Sequence, residues 1–207
     1  MESVSWSRGT WADEAELHAF DCCPGCRAQA ARHPTDPTGC ETAWAHEVQT
    51  YFQDKAISQA QAGSLPYDQR LLLLRDTEEL VGAAVHYSEE GSGDDSGGFF
   101  ERRLAAYATA SHVQGGKLST GEYASKALLR AVISDITSRY SPQNTVLITG
   151  LVLPMNRPSR TCLERYGWSI VSQQGRYLVY ANSLQAAQEV LDVDPSVDID
   201  AFHEPRA

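Results

Sequence analysis

The sequence predicts an α/β protein with one mixed β-sheet and helices on both of its faces. Three observations carry that prediction. Residues 41–62 place Trp44, Val48, Phe52 and Ala56 at four-residue steps, with Tyr51 beside them, which is the period of an amphipathic helix ended by Gly63. Residues 70–75 (RLLLLR) and 80–87 (LVGAAVHY) are two β-rich runs, and Asp76-Thr77-Glu78-Glu79 joins them as a hairpin. The second half then alternates: a long strand over 99–113, a helix over 121–140, an apolar strand over 145–153, a short helix, and strands over 168–171 and 176–181. Strands early and a βαβ pattern late imply a mixed sheet covered on both sides.

The 207 residues suit one ordinary domain with short appendages. Residues 1–40 read as an irregular, Cys-rich segment broken by Pro24, Gly25, Pro34, Pro37 and Gly39; residues 41–182 form the domain. Residues 183–207 are expected to hold a short helix over 184–191 and an acidic, disordered tail. The acidic run 89–98 (EEGSGDDSGG) reads as a flexible loop. The formal net charge is -10, and six acids against one base after residue 182 contribute half of it. Such a chain is a poor generic binder of polyanions. No run of 18 apolar residues is present, so no membrane span is expected. The polar, acidic N-terminus is not a signal peptide, and a cytoplasmic location is the expectation.

The most informative stretch is 145–168. Residues 145–153 are β-branched and aliphatic without a charge, as in a strand buried on both faces. Pro154 stops the ladder, Asn156 is a good N-cap, and Pro158 is tolerated in a first helical turn. Cys162, Leu163 and Tyr166 give a short helix one apolar face, and Gly167 suits a left-handed C′ position before Trp168 restarts a strand. Any α/β protein with a short crossover helix would share that local geometry. The joint pattern N-x-x-S-x-x-x-L-E-[KR]-x-G-[FW], directly after L-x-L-P-x-N, resembles the last strand–helix–strand unit of the GNAT superfamily of acyl-CoA-dependent N-acyltransferases. The element order over residues 41–182 agrees with what that resemblance implies: a GNAT-like fold.

The resemblance implies a binding lane for acetyl-CoA. Gln114-Gly115-Gly116-Lys117-Leu118-Ser119-Thr120-Gly121 leads from a strand into a helix, where free N–H groups and the positive dipole end can hold a pyrophosphate. Ser119 and Glu122 have capping-box spacing. The family's Q/R-x-x-G-x-G/A turn is altered here: the loop is longer, and Gly121-Glu122-Tyr123-Ala124-Ser125 replaces its end, although residues 125–129 match the helix that follows. A plain glycine turn before a helix is the alternative reading. The backbone of residues 108–113, including Ala110, Ser111, His112 and Val113, is expected along the pantetheine, with Asn156 and Ser159 opposite. GxGxxG is absent, and Gly116-Lys117-Leu118-Ser119 lacks the Ser or Thr that a Walker A ending needs after Lys.

Direct attack by an amine needs a proton acceptor, because an amine is protonated near pH 7. The family often uses a Glu near its fourth strand. Glu101 is the best-placed candidate, ahead of Glu122 and His112; as ordinary residues these are a strand-start carboxylate, a helix-cap carboxylate and a strand histidine. Many family members also protonate the leaving thiolate with a Tyr at the place that Leu163 holds here. Tyr166 stands one turn later, and Tyr177 and Tyr180 are further candidates.

Cys23, Cys26, His33 and Cys40 form C-x2-C-x6-H-x6-C, which has the ligand types of a structural zinc site; a metal-free Cys-rich loop is the more ordinary reading. An odd count of five cysteines argues against a disulfide framework. Phe20-Asp21-Cys22, residues 48–56 and Leu80-Val81-Gly82 also loosely resemble the opening of a GNAT subgroup that includes toxins acetylating aminoacyl-tRNA. Arg102, Arg103, Arg157 and Arg160 could form a local basic patch or be solvated surface. The leading expectation is acetyl transfer from acetyl-CoA to a primary amine of a small molecule, a protein or aminoacyl-tRNA. Nucleic acid is a partner only in the toxin-like reading, and a homodimer is left open. A non-catalytic GNAT-fold binding or regulatory module is the alternative from a different class.

Overall fold

A computed structural model describes residues 3–23, 43–61, 68–89 and 99–194. Seven strands form one sheet in the order β1-β2-β3-β4-β5-β7-β6. They are β1 (Val4–Arg8), β2 (Arg70–Asp76), β3 (Glu79–Ser88), β4 (Phe99–Thr109), β5 (Thr145–Val152), β6 (Ser169–Gln174) and β7 (Tyr177–Ser183). The helices are α1 (Glu14–Ala19), α2 (Ala43–Asp54), α3 (Ala56–Gln61), α4 (Ala124–Thr137), α5 (Arg157–Arg165) and α6 (Leu184–Leu191). Every neighbouring pair of strands is antiparallel except β4 and β5, which run parallel through the crossover helix α4.

Two apolar layers sandwich the sheet. Leu71, Leu73, Ala83, Val85 and Ala106 face Leu17, Phe20, Phe52, Ala56 and Ile57 of the α1–α3 side. Leu72, Leu74, Val81, Ala84 and Leu104 face the opposite side, where Leu128, Val132 and Ile136 of α4 meet Leu163, Leu184 and Leu191. This is why the four consecutive leucines of β2 are all buried: a strand covered on both faces has no polar alternation. Gly82 lets α4 lie close to β3, since a Cβ there would stand 3.2 Å from the Leu128 side chain.

Several expectations are corrected at their edges. Residues 1–40 are not wholly irregular, because β1 and α1 occupy their first half. β1 is a half-exposed edge strand of five residues whose Val4 and Trp6 pack against the α4 layer. The long strand ends at Thr109 rather than residue 113, and Ser111–Val113 is a 3-10 turn. The helix expected over 121–140 spans Ala124–Thr137, and the one expected over 41–62 is two helices parted at Lys55. The β2–β3 hairpin turns on Thr77 and Glu78, both at positive φ, as a two-residue turn matched to strand twist requires. Residues 24–42, 90–98 and 195–207 lie outside the described residues, and with them the acidic loop and most of the acidic tail. α6 packs into the core through Leu184, Ala187 and Leu191.

Within the α4 layer lies a buried polar cluster. Asp135 of α4 accepts from Arg8 Nε at 3.2 Å, Arg70 Nη2 at 3.3 Å and His86 Nε2 at 3.1 Å. Arg102 Nη2, which can only donate, lies 2.6 Å from His86 Nδ1, so the imidazole is the neutral Nε2–H tautomer. His86, Arg102 and Asp135 are fully buried. Burial, with the nearby Arg102, holds the His86 pKa down to about 4, against the opposing pull of Asp135. The unfolded chain therefore binds the proton first as pH falls. Stability is expected to fall from about pH 6.5 to about pH 4 by up to ~3 kcal/mol from this group alone. Denaturant titrations over that range check it; the His86→Gln variant is expected to lose the slope even though its own stability is lower.

Candidate functional site

The site grows from the one parallel pair. β4 and β5 stay in register from Phe99↔Thr145 to Leu104↔Gly150. Beyond that point they part. β4 continues to Thr109 held only by β3, and β5 continues to Val152 held only by β7. A V opens between two arms, each anchored on its outer side. The inner edge of each arm carries backbone N–H and C=O groups without a strand partner. A β-bulge lies at the vertex: the β3 register steps from Val85↔Ala106 to His86↔Leu104 and leaves Ala105 without a partner in β3.

At the open end, the turn after β4 meets the start of α4. Gly115 has φ +70°, which favours glycine, and no atom lies within 4 Å of where its Cβ would be. Residues 117–123 then make a small side hairpin: Lys117 bridges Tyr123, and Leu118 N donates to Glu122 O at 2.8 Å. Its tip is tied to the β2–β3 turn, where Ser119 N donates to Asp76 Oδ2 at 2.7 Å. The hairpin's stem closes through Ala124 N to Gly116 O at 3.2 Å. Gly115-Gly116 therefore lies directly against Ala124-Ser125, and the extra residues are looped out of the glycine turn. The expected Ser119–Glu122 capping box is not formed: Ser119 is turned to Asp76 and Glu122 to Arg130 at 2.7 Å. Tyr123 is the N-cap and makes no side-chain cap. Among the described residues the N–H groups of Gly115, Ser125 and Lys126 have no acceptor. Such N–H groups at a fourteen-residue helix's positive end are suited to an anion.

The opposite wall is the start of α5. Asn156 is its N-cap and accepts from Ser159 N at 3.1 Å, which is the capping role the sequence allows. Tyr107 of β4 crosses toward both helices. Its hydroxyl donates to Ser125 O at 2.6 Å and lies 3.8 Å from Cys162 Sγ. Burial, with Cys162 beside it, raises its pKa well above the ordinary value, so it stays a donor. Tyr107→Phe is expected to lower stability by ~0.5–1.5 kcal/mol and to loosen the first turn of α4. Thermal unfolding with amide exchange at Ala127, whose N–H donates to Tyr123 O, measures both.

On the α1–α3 side of the vertex stands Glu101. It lies opposite Leu147 in the register, but its carboxylate leans two positions toward the V and accepts from Thr149 Oγ1 at 2.7 Å. Arg103 Nη2 is 3.5 Å from the same oxygen, and Arg103 Nε pairs with Glu89 at 2.7 Å. The other base candidates are elsewhere. His112 is an exposed residue 3.3 Å from Glu79, and Glu122 is held by Arg130 and Lys126. Neither faces Glu101. The backbone of residues 110–113 is not a free edge: Ala110 N donates to Val81 O, Ser111 N to Asp21 O and Val113 N to Ala110 O. Gln114 turns its amide to Cys22 O at 2.6 Å, which ties the Phe20-Asp21-Cys22 segment to the turn. Tyr166 is buried in the α4 layer, packed as a core residue at the end of α5. Tyr180 donates to Glu164 Oε1 at 2.7 Å, and Tyr177 sits beside Arg176.

Cys23 is disulfide-bonded, so its sulfur is not a thiolate ligand in this structure, while Cys22 and Cys162 are free thiols. Cys26, His33 and Cys40 lie outside the described residues, among which no group of His, Cys, Asp and Glu could hold a metal ion. No described helix is long and apolar enough to cross a membrane. Sequence reasoning missed Thr149 and Tyr107. Thr149 is the one hydroxyl inside an otherwise apolar strand centre, and that polar exception was the available signal.

No protein-family model matches the sequence, and no curated protein matches it. Solved structures do. The aminoglycoside acetyltransferase AAC(6')-Ib in complex with coenzyme A aligns over 90% of this chain and 98% of its own, with a TM-score of 0.57 and 20% identity. The PaiA N-acetyltransferase of Thermoplasma acidophilum, also with coenzyme A, aligns over 87% of this chain and 98% of its own, with a TM-score of 0.58 and 12% identity. A mutant of the AtaT toxin bound to the C-terminus of the antitoxin AtaR aligns over 93% of this chain and 99% of its own, with a TM-score of 0.59 and 10% identity. The chain has the fold of the GNAT acetyltransferases.

Proposed function

We propose that this chain is an N-acetyltransferase that moves an acetyl group from acetyl-CoA to a primary amine by direct attack. The observation that carries the proposal is the V between β4 and β5, which opens beyond Leu104 and Gly150 straight toward an uncapped helix start. The residues present fit acetyl-CoA. Gly115, Ser125 and Lys126 offer unused N–H groups for a pyrophosphate. The inner edges of the V offer alternating donors and acceptors to the amides of a pantetheine arm. Bound acetyl-CoA supplies an acyl group already activated as a thioester.

The protein's own work is placement and proton transfer. The vertex brings the acceptor amine to the α1–α3 face, and Glu101 takes its proton there, directly or through one water. Leu163 replaces the tyrosine expected on α5, and Tyr166 is enclosed in the core, so the departing thiolate takes its proton from solvent or from the acceptor's own released proton. The net charge of -10 favours a cationic acceptor over a polyanionic one. Aminoglycosides and polyamines are the acceptor classes of choice, and the former is what one similar structure's enzyme acts on by name.

Thiol release from acetyl-CoA, followed with a chromogenic disulfide, tests the reading against kanamycin, spermidine, a lysine peptide and aminoacyl-tRNA. An amine-dependent rate well above the amine-free rate supports it and identifies the acceptor class. A flat response across the panel, with acetyl-CoA shown to bind, would favour a non-catalytic binding module.

A further inference from the structure

Thr149 is the residue whose position the proposed chemistry leaves unexplained. It lies in the middle of β5 among aliphatic neighbours and is only 4% exposed. A hydroxyl so buried needs a partner, since an unpaired one costs ~1–3 kcal/mol. Its partner is Glu101 Oε1 at 2.7 Å, across the β4–β5 pair. The register makes this contact diagonal. Glu101 is opposite Leu147, while Thr149 is opposite Arg103 and adjoins Gly150, the last paired residue before the V. Without the Thr149 hydroxyl, nothing on β5 would draw the carboxylate along the strand toward the vertex.

The rest of the surroundings point the same way. Arg103 approaches the same Glu101 oxygen at 3.5 Å but is itself drawn to Glu89 at 2.7 Å, so it neutralises the neighbourhood without clamping Glu101. Tyr87 lies opposite Arg103 in the β3 register, beside the Arg103–Glu89 ion pair. Thr149 thus gives Glu101 a short bond from a rigid strand centre.

We propose that Thr149 is a positioning residue: its hydroxyl aims the Glu101 carboxylate at the β4–β5 vertex, where the acceptor amine gives up its proton. The proposal rests on the reading of Glu101 as the base. Thr149→Val keeps the shape and removes the bond; Thr149→Ser keeps the bond.

The test is initial rates, with acetyl-CoA and kanamycin or spermidine as probe acceptor, in the wild type, both Thr149 variants and Glu101→Gln. In Thr149→Val kcat is expected to be about tenfold lower, with KM for acetyl-CoA within twofold. Thr149→Ser is expected to restore kcat. An unchanged kcat in Thr149→Val, with Glu101→Gln inactive, overturns the positioning role and leaves the base in place. A fully active Glu101→Gln overturns the base and the positioning role together.

Discussion

Glu101→Gln is expected to lower kcat by ~10²–10⁴-fold while leaving the affinity for acetyl-CoA within about twofold of the wild type. The two effects separate because Glu101 stands on the α1–α3 side of the vertex, away from the glycine turn and the start of α4. The substitution is nearly isosteric. Its amide oxygen still accepts from Thr149, and Arg103 keeps its pairing with Glu89, so folding should be unchanged. Steady-state rates over pH 5–9 with any acceptor found active, and calorimetry with acetyl-CoA, measure both. Loss of acetyl-CoA binding in this variant would mean that Glu101 belongs to the cofactor lane and not to the acceptor side.

Asp135→Ala is expected to be the most destabilising single change in the chain. It leaves Arg70, Arg8 and the fully buried His86 without their common acceptor, while Arg102 keeps its pairing with Asp68. Removing one partner from a buried charged cluster typically costs ~3–5 kcal/mol, because the remaining charges stay out of water. For a chain of this size that is a Tm lower by about 6–20 °C. Burial alone would make the Asp135 carboxyl easier to protonate, but His86 and Arg70 outweigh it and hold the pKa far below the usual range. Asp135 therefore stabilises the fold above about pH 4, and that contribution is lost as pH falls through its lowered pKa. Calorimetric unfolding at pH 7 decides the matter. A Tm within 2 °C of the wild type would show that the cluster is solvated on opening and contributes little.

The parts of the fold that were legible in the sequence are those set by local chemistry. Asn156 caps, Pro158 starts and Gly167 at φ +88° ends α5, each for a reason visible in one residue type. The apolar runs of β2 and β5 signalled strands inside a sheet covered on both faces. What was not legible depended on pairing between distant segments. β1 is a strand because residues 4–8 find β2, not because Val-Ser-Trp-Ser-Arg demands it. The glycine turn after β4 looked degenerate because seven residues loop out of it. Only the contact between Ala124 N and Gly116 O shows that its two halves still meet. Glu101 was found by its place before the long strand, but its aim toward the V depends on Thr149, forty-eight positions away. Ser119 and Glu122 had capping-box spacing, yet Asp76 and Arg130 claimed them first, a competition that sequence spacing alone does not reveal.

The measurement that tests the central claim most directly is a calorimetric titration of the intact protein with acetyl-CoA. The V between β4 and β5, with the free N–H groups of Gly115, Ser125 and Lys126 at its mouth, predicts micromolar binding at one site per chain. Placing a side chain at the left-handed turn with Gly115→Val should weaken that binding at least tenfold, because φ +70° is strained for a β-branched residue. No heat of binding at millimolar acetyl-CoA, with the protein folded, would contradict the account.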